Sequence, residues 1–112
     1  ITTLPIVGIY IVITILSTYF ICADKLYILD EPENSLSCEL QMKLAQYIEE
    51  SARYFGCQFI IATHSPFLLS IPGAKIYNLD AMPICTEQWY NLENIRCYYD
   101  LFKENERFFS RS

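Results

Sequence analysis

Two carboxylates, Asp30 and Glu31, directly follow the apolar run Leu26-Tyr27-Ile28-Leu29, and the single histidine, His64, directly follows a second apolar run that ends at Thr63. Adjacent carboxylates repel each other unless a cation or another partner offsets the charge, and a divalent metal would supply that offset. Asp30, at the end of its run, is suited to holding Mg²⁺ through water, because this ion gives up its hydration reluctantly. Glu31, one residue further on and pointing elsewhere, is placed to orient an attacking water. A solvated acidic turn has the same local sequence, so the pair carries little by itself. His64 is open to two readings as well, since a lone histidine is often a packed or hydrogen-bonded structural residue. Ser65 adds a hydroxyl, and a helix starting there would add backbone donors suited to an anion such as a phosphate.

The elements that must position these groups follow from the apolar pattern. Leu26 to Leu29 reads as a strand buried on both faces that stops at Asp30-Glu31-Pro32, since Pro32 cannot continue a central strand. Ser37 suits a helix N-cap with Glu39 in the first turn. Leu40, Leu44, Ile48 and Ala52 then recur at fourfold spacing, Phe55 closes the face and Gly56 suits the C-terminal cap. A second buried strand spans residues 58–63, Ser65-Pro66 opens a short helix through Leu69, and residues 75–79 make a third strand. Strand, helix, strand, helix, strand is the pattern of a parallel sheet with crossover helices, and such sheets bind ligands beyond the carboxyl ends of their strands. If the first two strands are neighbours, His64 and the carboxylates converge there. The tail carries Trp89, Leu92, Ile95, Tyr99 and Phe102 at helical spacing, which predicts a docked helix over residues 86–110.

The chain has 112 residues, enough for one small domain and short of the roughly 150 that most complete nucleotide-processing enzymes need. Its net charge of −5 gives no general attraction to nucleic acid or anionic lipid, and neither a DNA nor a protein partner is indicated. Five cysteines, odd in number and without a CxxC, argue against a disulfide framework or a zinc site and favour a reducing cytoplasm. Residues 1–23 are free of charge, and Leu4 to Ala23 has the length of a bilayer span. Its β-branched content leaves three readings open: a single-pass membrane helix, a buried segment of a larger fold, and a mis-read or truncated gene end.

LYILDEPENSLS, a helix, and then FIIATHSPFLLS together resemble the second half of an ABC-type ATPase head, nearest the cassette-like AAA-family ATPases related to those of chromosome maintenance and recombination. The resemblance runs from about Lys25 to Asp80, within an ATPase-core unit over residues 24–80. It implies an α/β fold, a partial P-loop NTPase sheet with flanking helices. Leu26 to Glu31 would be the Walker B strand, Asn34 to Ser37 the D-loop, and Thr63 to Pro66 the switch-histidine loop. Asp30 would then bind the Mg²⁺ of MgATP, Glu31 would polarise the attacking water, and His64 would contact the γ-phosphate. Ser37, where many transporter cassettes carry Asp, would face the partner of a head-to-tail homodimer.

Phosphoryl transfer in P-loop enzymes also needs a glycine-rich loop and its lysine. The only glycines are Gly8, Gly56 and Gly73, and none precedes Lys-Ser or Lys-Thr. No Walker A can be assembled, nor is there a convincing signature loop before Asp24. The expectation is therefore a C-terminal portion of such an ATPase, inactive alone. The competing reading is a membrane-anchored, non-enzymatic module that binds a partner through Trp89 and the tyrosine-rich tail. A third is a nonfunctional gene remnant.

Overall fold

Leu26–Asp30 (β2) and Gln58–Thr63 (β3) are neighbouring parallel strands in the computed structural model, which describes residues 10–14 and 26–111. They are joined by α1 (Cys38–Phe55). Both ends of α1 are set by residues whose chemistry suits them. The Ser37 hydroxyl accepts from the Leu40 N–H at 3.2 Å, satisfying one of the orphan donors of the first turn. Gly56 ends the helix in the left-handed region at φ 69°, where a side chain would be strained, and its N–H returns to the Ser51 carbonyl.

The five-stranded sheet has the order β2-β3-β1-β4-β5, with β1 at Tyr10–Thr14, β4 at Ala74–Asn78 and β5 at Cys85–Glu87. β1 pairs antiparallel with both β3 and β4, and β5 is antiparallel to β4. The expected parallel sheet is thus a mixed one. β2, β3 and β4 do run the same way, but β1 is inserted between β3 and β4.

That insertion bears on the charge-free amino-terminal run. Tyr10–Thr14, in its middle, is a strand and not a turn of a membrane helix. Five consecutive residues dominated by β-branched side chains fit a pleated ribbon, and here both edges of that ribbon are hydrogen-bonded. Among the described residues no helix is long and apolar enough to cross a membrane. The rest of the run lies outside the described residues.

The core forms between one face of the sheet and the helices. Phe59, Ile61 and Ile76 contribute the sheet side, Ile48 and Ala52 come from α1, and Leu68 and Leu69 from α2 (Pro66–Leu69). Leu92 and Ile95 close it from the carboxyl-terminal segment, where α3 spans Glu93–Glu104. Helix α3 starts later and ends earlier than the expected 86–110 helix, with single 3₁₀ turns at Trp89–Asn91 and Glu106–Phe109. The expected apolar stripes are only partly buried. Leu40 and Phe55 of α1, and Tyr99 and Phe102 of the tail, are exposed, because the core they lie beyond is too small to reach them.

Period-two alternation separates the two faces of the sheet. Tyr27 and Leu29 share the α1 side with Phe59 and Ile61, and the Tyr27 and Phe59 rings stack at 5.3 Å. Leu26, Ile28 and Asp30 lie on the opposite face, where Ile28 is 73% exposed.

Candidate functional site

The parallel pairing of β2 with β3 brings the two groups of candidate residues to one end of the sheet. Asp30 is in register with Ala62, so the turn after β2 and the loop after β3 leave the sheet side by side. Glu31 adopts φ 48°, a left-handed conformation that costs a non-glycine residue about 1 kcal/mol or more. The bend lets its N–H donate to the Ala62 carbonyl at 2.7 Å, and its own carbonyl accepts from the Asn34 N–H at 3.1 Å. It also breaks the strand alternation, so Glu31 is no longer bound to the face opposite Asp30.

One carboxylate oxygen each of Glu31 and Glu33 and one ring nitrogen of His64 lie within 4.8 Å of one another. Asp30 is exposed and stands outside this cluster. The convergence of His64 with the acidic turn, expected from the strand order, is therefore present, with Glu31 and Glu33 as the acids that meet the imidazole.

Glu33 is the residue that sequence reasoning missed, and it organises the site. Its side chain is 7% exposed, against 45% for the imidazole of His64. Oε1 accepts from the Thr63 hydroxyl at 2.6 Å, Oε2 accepts from the His64 backbone N–H at 3.3 Å, and His64 Nδ1 lies 3.8 Å from Oε2. Thr63 Oγ1 accepts in turn from the Ser65 N–H at 3.0 Å. A buried carboxylate is tolerated only when its lone pairs are met in this way. The one available signal was the pattern Glu-Pro-Glu after a strand, and it gives no hint of burial.

Ser65 plays a part different from that expected, whereas Ser37 is the N-cap that the sequence predicts. Ser65 is buried and its side chain does not cap α2. Its hydroxyl donates to Gln41 Oε1 at 2.6 Å, while Gln41 Nε2 donates to the Leu36 carbonyl at 3.0 Å. The Ser65 hydroxyl is thus committed to bracing the turn and is not offered to an anion, and α2 has only four residues. Ser37 is the exposed N-cap of α1.

Residues 9–70 match the family described as AAA domain, putative AbiEii toxin, Type IV TA system. The match covers more than half of the chain. The chain belongs to this AAA-domain family. The matched span of the AAA domain runs from β1 through α2, so it contains the acidic turn, the Glu33 bonds and His64 together. No curated protein and no solved structure matches the chain.

Membership brings the general expectation of nucleotide and Mg²⁺ use, and the donor set can be tested against it. Among the described residues no side chain donates to the carboxylates of Asp30 or Glu31. Both are hard oxygen donors of the kind Mg²⁺ takes. Glu33, with each oxygen already accepting, is a poorer candidate. The carboxylates of Asp30 and Glu31 thus have the donor chemistry this ion takes, and of the two only Glu31 belongs to the cluster with Glu33 and His64.

Proposed function

We propose that this AAA domain supplies the metal, water and sensor side of an ATP-hydrolysing site of the cassette type, and that the phosphate-binding side comes from residues outside these 112. The observation that carries the reading is the meeting of Glu31 with His64 beyond adjacent parallel strands, where α/β sheets present their ligands. The resemblance of LYILDEPENSLS and FIIATHSPFLLS to Walker B, D-loop and switch-histidine segments supports the same assignment.

In this reading Asp30 holds Mg²⁺ through its water shell, and the ion, when bound, neutralises charge on the phosphate oxygens. Glu31, turned off the strand by its left-handed backbone, accepts hydrogen-bonding from the attacking water and polarises it. His64 presents its half-exposed imidazole to the γ-phosphate. Ser37, capping α1, stands at the position that faces the second head of a homodimer. With no Gly-x-x-x-x-Gly-Lys-Ser/Thr in the sequence, the preorganised donors that stabilise the transferring phosphoryl group are missing from this chain.

Isothermal titration of the purified chain with MgATP tests the division of the site, and binding in the micromolar range would overturn it. Reading the coding DNA upstream tests the nucleotide assignment itself. A P-loop segment there, in or out of frame, supports it, whereas its lack in every frame leaves the phosphates without a cradle and the assignment untenable.

A further inference from the structure

Glu33 is a buried acid with a ring nitrogen beside it, and the proposed hydrolytic chemistry does not use it. Three contacts define what it does. The Thr63 hydroxyl and the His64 N–H fix the direction of its carboxylate, and its Oε2 lies on the Nδ1 side of the His64 ring at 3.8 Å. That separation is an electrostatic contact and is too long for a hydrogen bond. A carboxylate on one side of an imidazole nevertheless favours the proton on the nearer nitrogen, and the tautomer of a histidine is set by what its ring nitrogens face.

We propose that Glu33 is a positioning residue for His64, holding the ring with a protonated Nδ1 inward and Nε2 turned outward. The inference rests on the reading of His64 as the γ-phosphate contact. It specifies the form of that contact: Nδ1 is held inward beside Glu33, and Nε2 is the ring nitrogen that faces the ligand. The arrangement repeats the logic by which a buried carboxylate orients a catalytic histidine and fixes its tautomer. Glu31, the third member of the cluster, lacks the two fixed donors that aim Glu33.

His64 is the only histidine, so ¹⁵N-histidine labelling reports on this ring alone. The ¹⁵N shifts of Nδ1 and Nε2 are read in the full chain without nucleotide, about two pH units above the ordinary imidazole range. The wild-type ring is expected to show a tautomer ratio displaced about tenfold toward Nδ1–H relative to free histidine, and Glu33→Gln is expected to return it toward the free ratio. A wild-type ring with the free-histidine ratio overturns the proposal, as does a displaced ratio that persists in a Glu33→Gln chain with intact α1 helicity. If Glu33→Gln does not fold, the wild-type ratio alone decides. Because no nucleotide enters the measurement, a displaced ratio alongside a failed nucleotide assignment would leave Glu33 as the residue that positions His64 and remove only the phosphate.

Discussion

The Thr63 hydroxyl donates to Glu33 Oε1 at 2.6 Å across 30 residues of sequence, tying the end of β3 to the turn after β2. Both partners are buried, Thr63 completely. Replacing Thr63 with Val keeps the shape of the side chain but leaves a buried carboxylate oxygen without its donor and the Ser65 N–H without its acceptor. The expected cost is about 1–3 kcal/mol, the usual penalty for an unsatisfied buried polar group. Urea denaturation should show a lower midpoint with an unchanged slope. A Thr63→Val chain that unfolds at the wild-type urea concentration would mean that the Glu33 carboxylate is not held as a buried acceptor.

Ser37 separates a local role from a proposed one. As the N-cap of α1 it accepts from the Leu40 N–H, so Ser37→Ala should destabilise the domain by about 1 kcal/mol. Ser37→Asp keeps a capping oxygen and adds favourable charge at the helix N-terminus, and it should be neutral or slightly stabilising. Thermal melts followed at the helical circular-dichroism band check both. Equal melting of the Ala and wild-type chains would remove the cap, and with it the local reason for serine at this position.

What could be read from the residues alone was the part of the fold encoded locally. β2, α1 and β3 are legible because each apolar run ends at a residue that cannot continue it, Pro32 for β2 and Gly56 for α1, and because Ser37 is a strong capping type. Their parallel pairing then brings His64 and Glu31 together. Glu33 was not legible, because its burial depends on Thr63 and His64, far away in sequence, while its own neighbours suggest a solvated turn. The amino-terminal run was ambiguous for a different reason. Continuous apolar β-branched sequence has no period to separate helix from strand, and the pairing of Tyr10–Thr14 with two distant strands decides it. The mixed sheet follows from the same long-range pairing.

Helix α1 gives a contrast between two apolar residues on one expected stripe. Ile48 is fully buried, and Ile48→Ala should cost about 2–5 kcal/mol through lost burial and the cavity left behind. Phe55 is 64% exposed, and Phe55→Ala should change stability by less than about 0.5 kcal/mol. Chemical denaturation of the two variants in parallel tests whether the stripe is buried only in its central turns. Comparable losses at both positions would mean that Phe55 packs against the domain and that the buried face runs the full length of the helix.

The sidedness of the sheet is tested at neighbouring strands. Ile28 and Ile61 are both isoleucines on paired strands, but alternation puts Ile61 in the core and Ile28 on the open face, 73% exposed. A lysine at position 61 would place an unpaired ammonium among Ile48, Leu68 and Leu69, a burial costly enough to unfold a domain of ordinary stability. A lysine at position 28 keeps its charge in water and also blunts the edge strand, since charged side chains there disfavour pairing with another chain. Ile28→Lys should therefore retain the wild-type circular dichroism and unfolding midpoint, whereas Ile61→Lys should lose helical signal and cooperative unfolding. If Ile28→Lys proves as damaging as Ile61→Lys, Ile28 is covered in the folded protein and the face carrying Asp30 is not open.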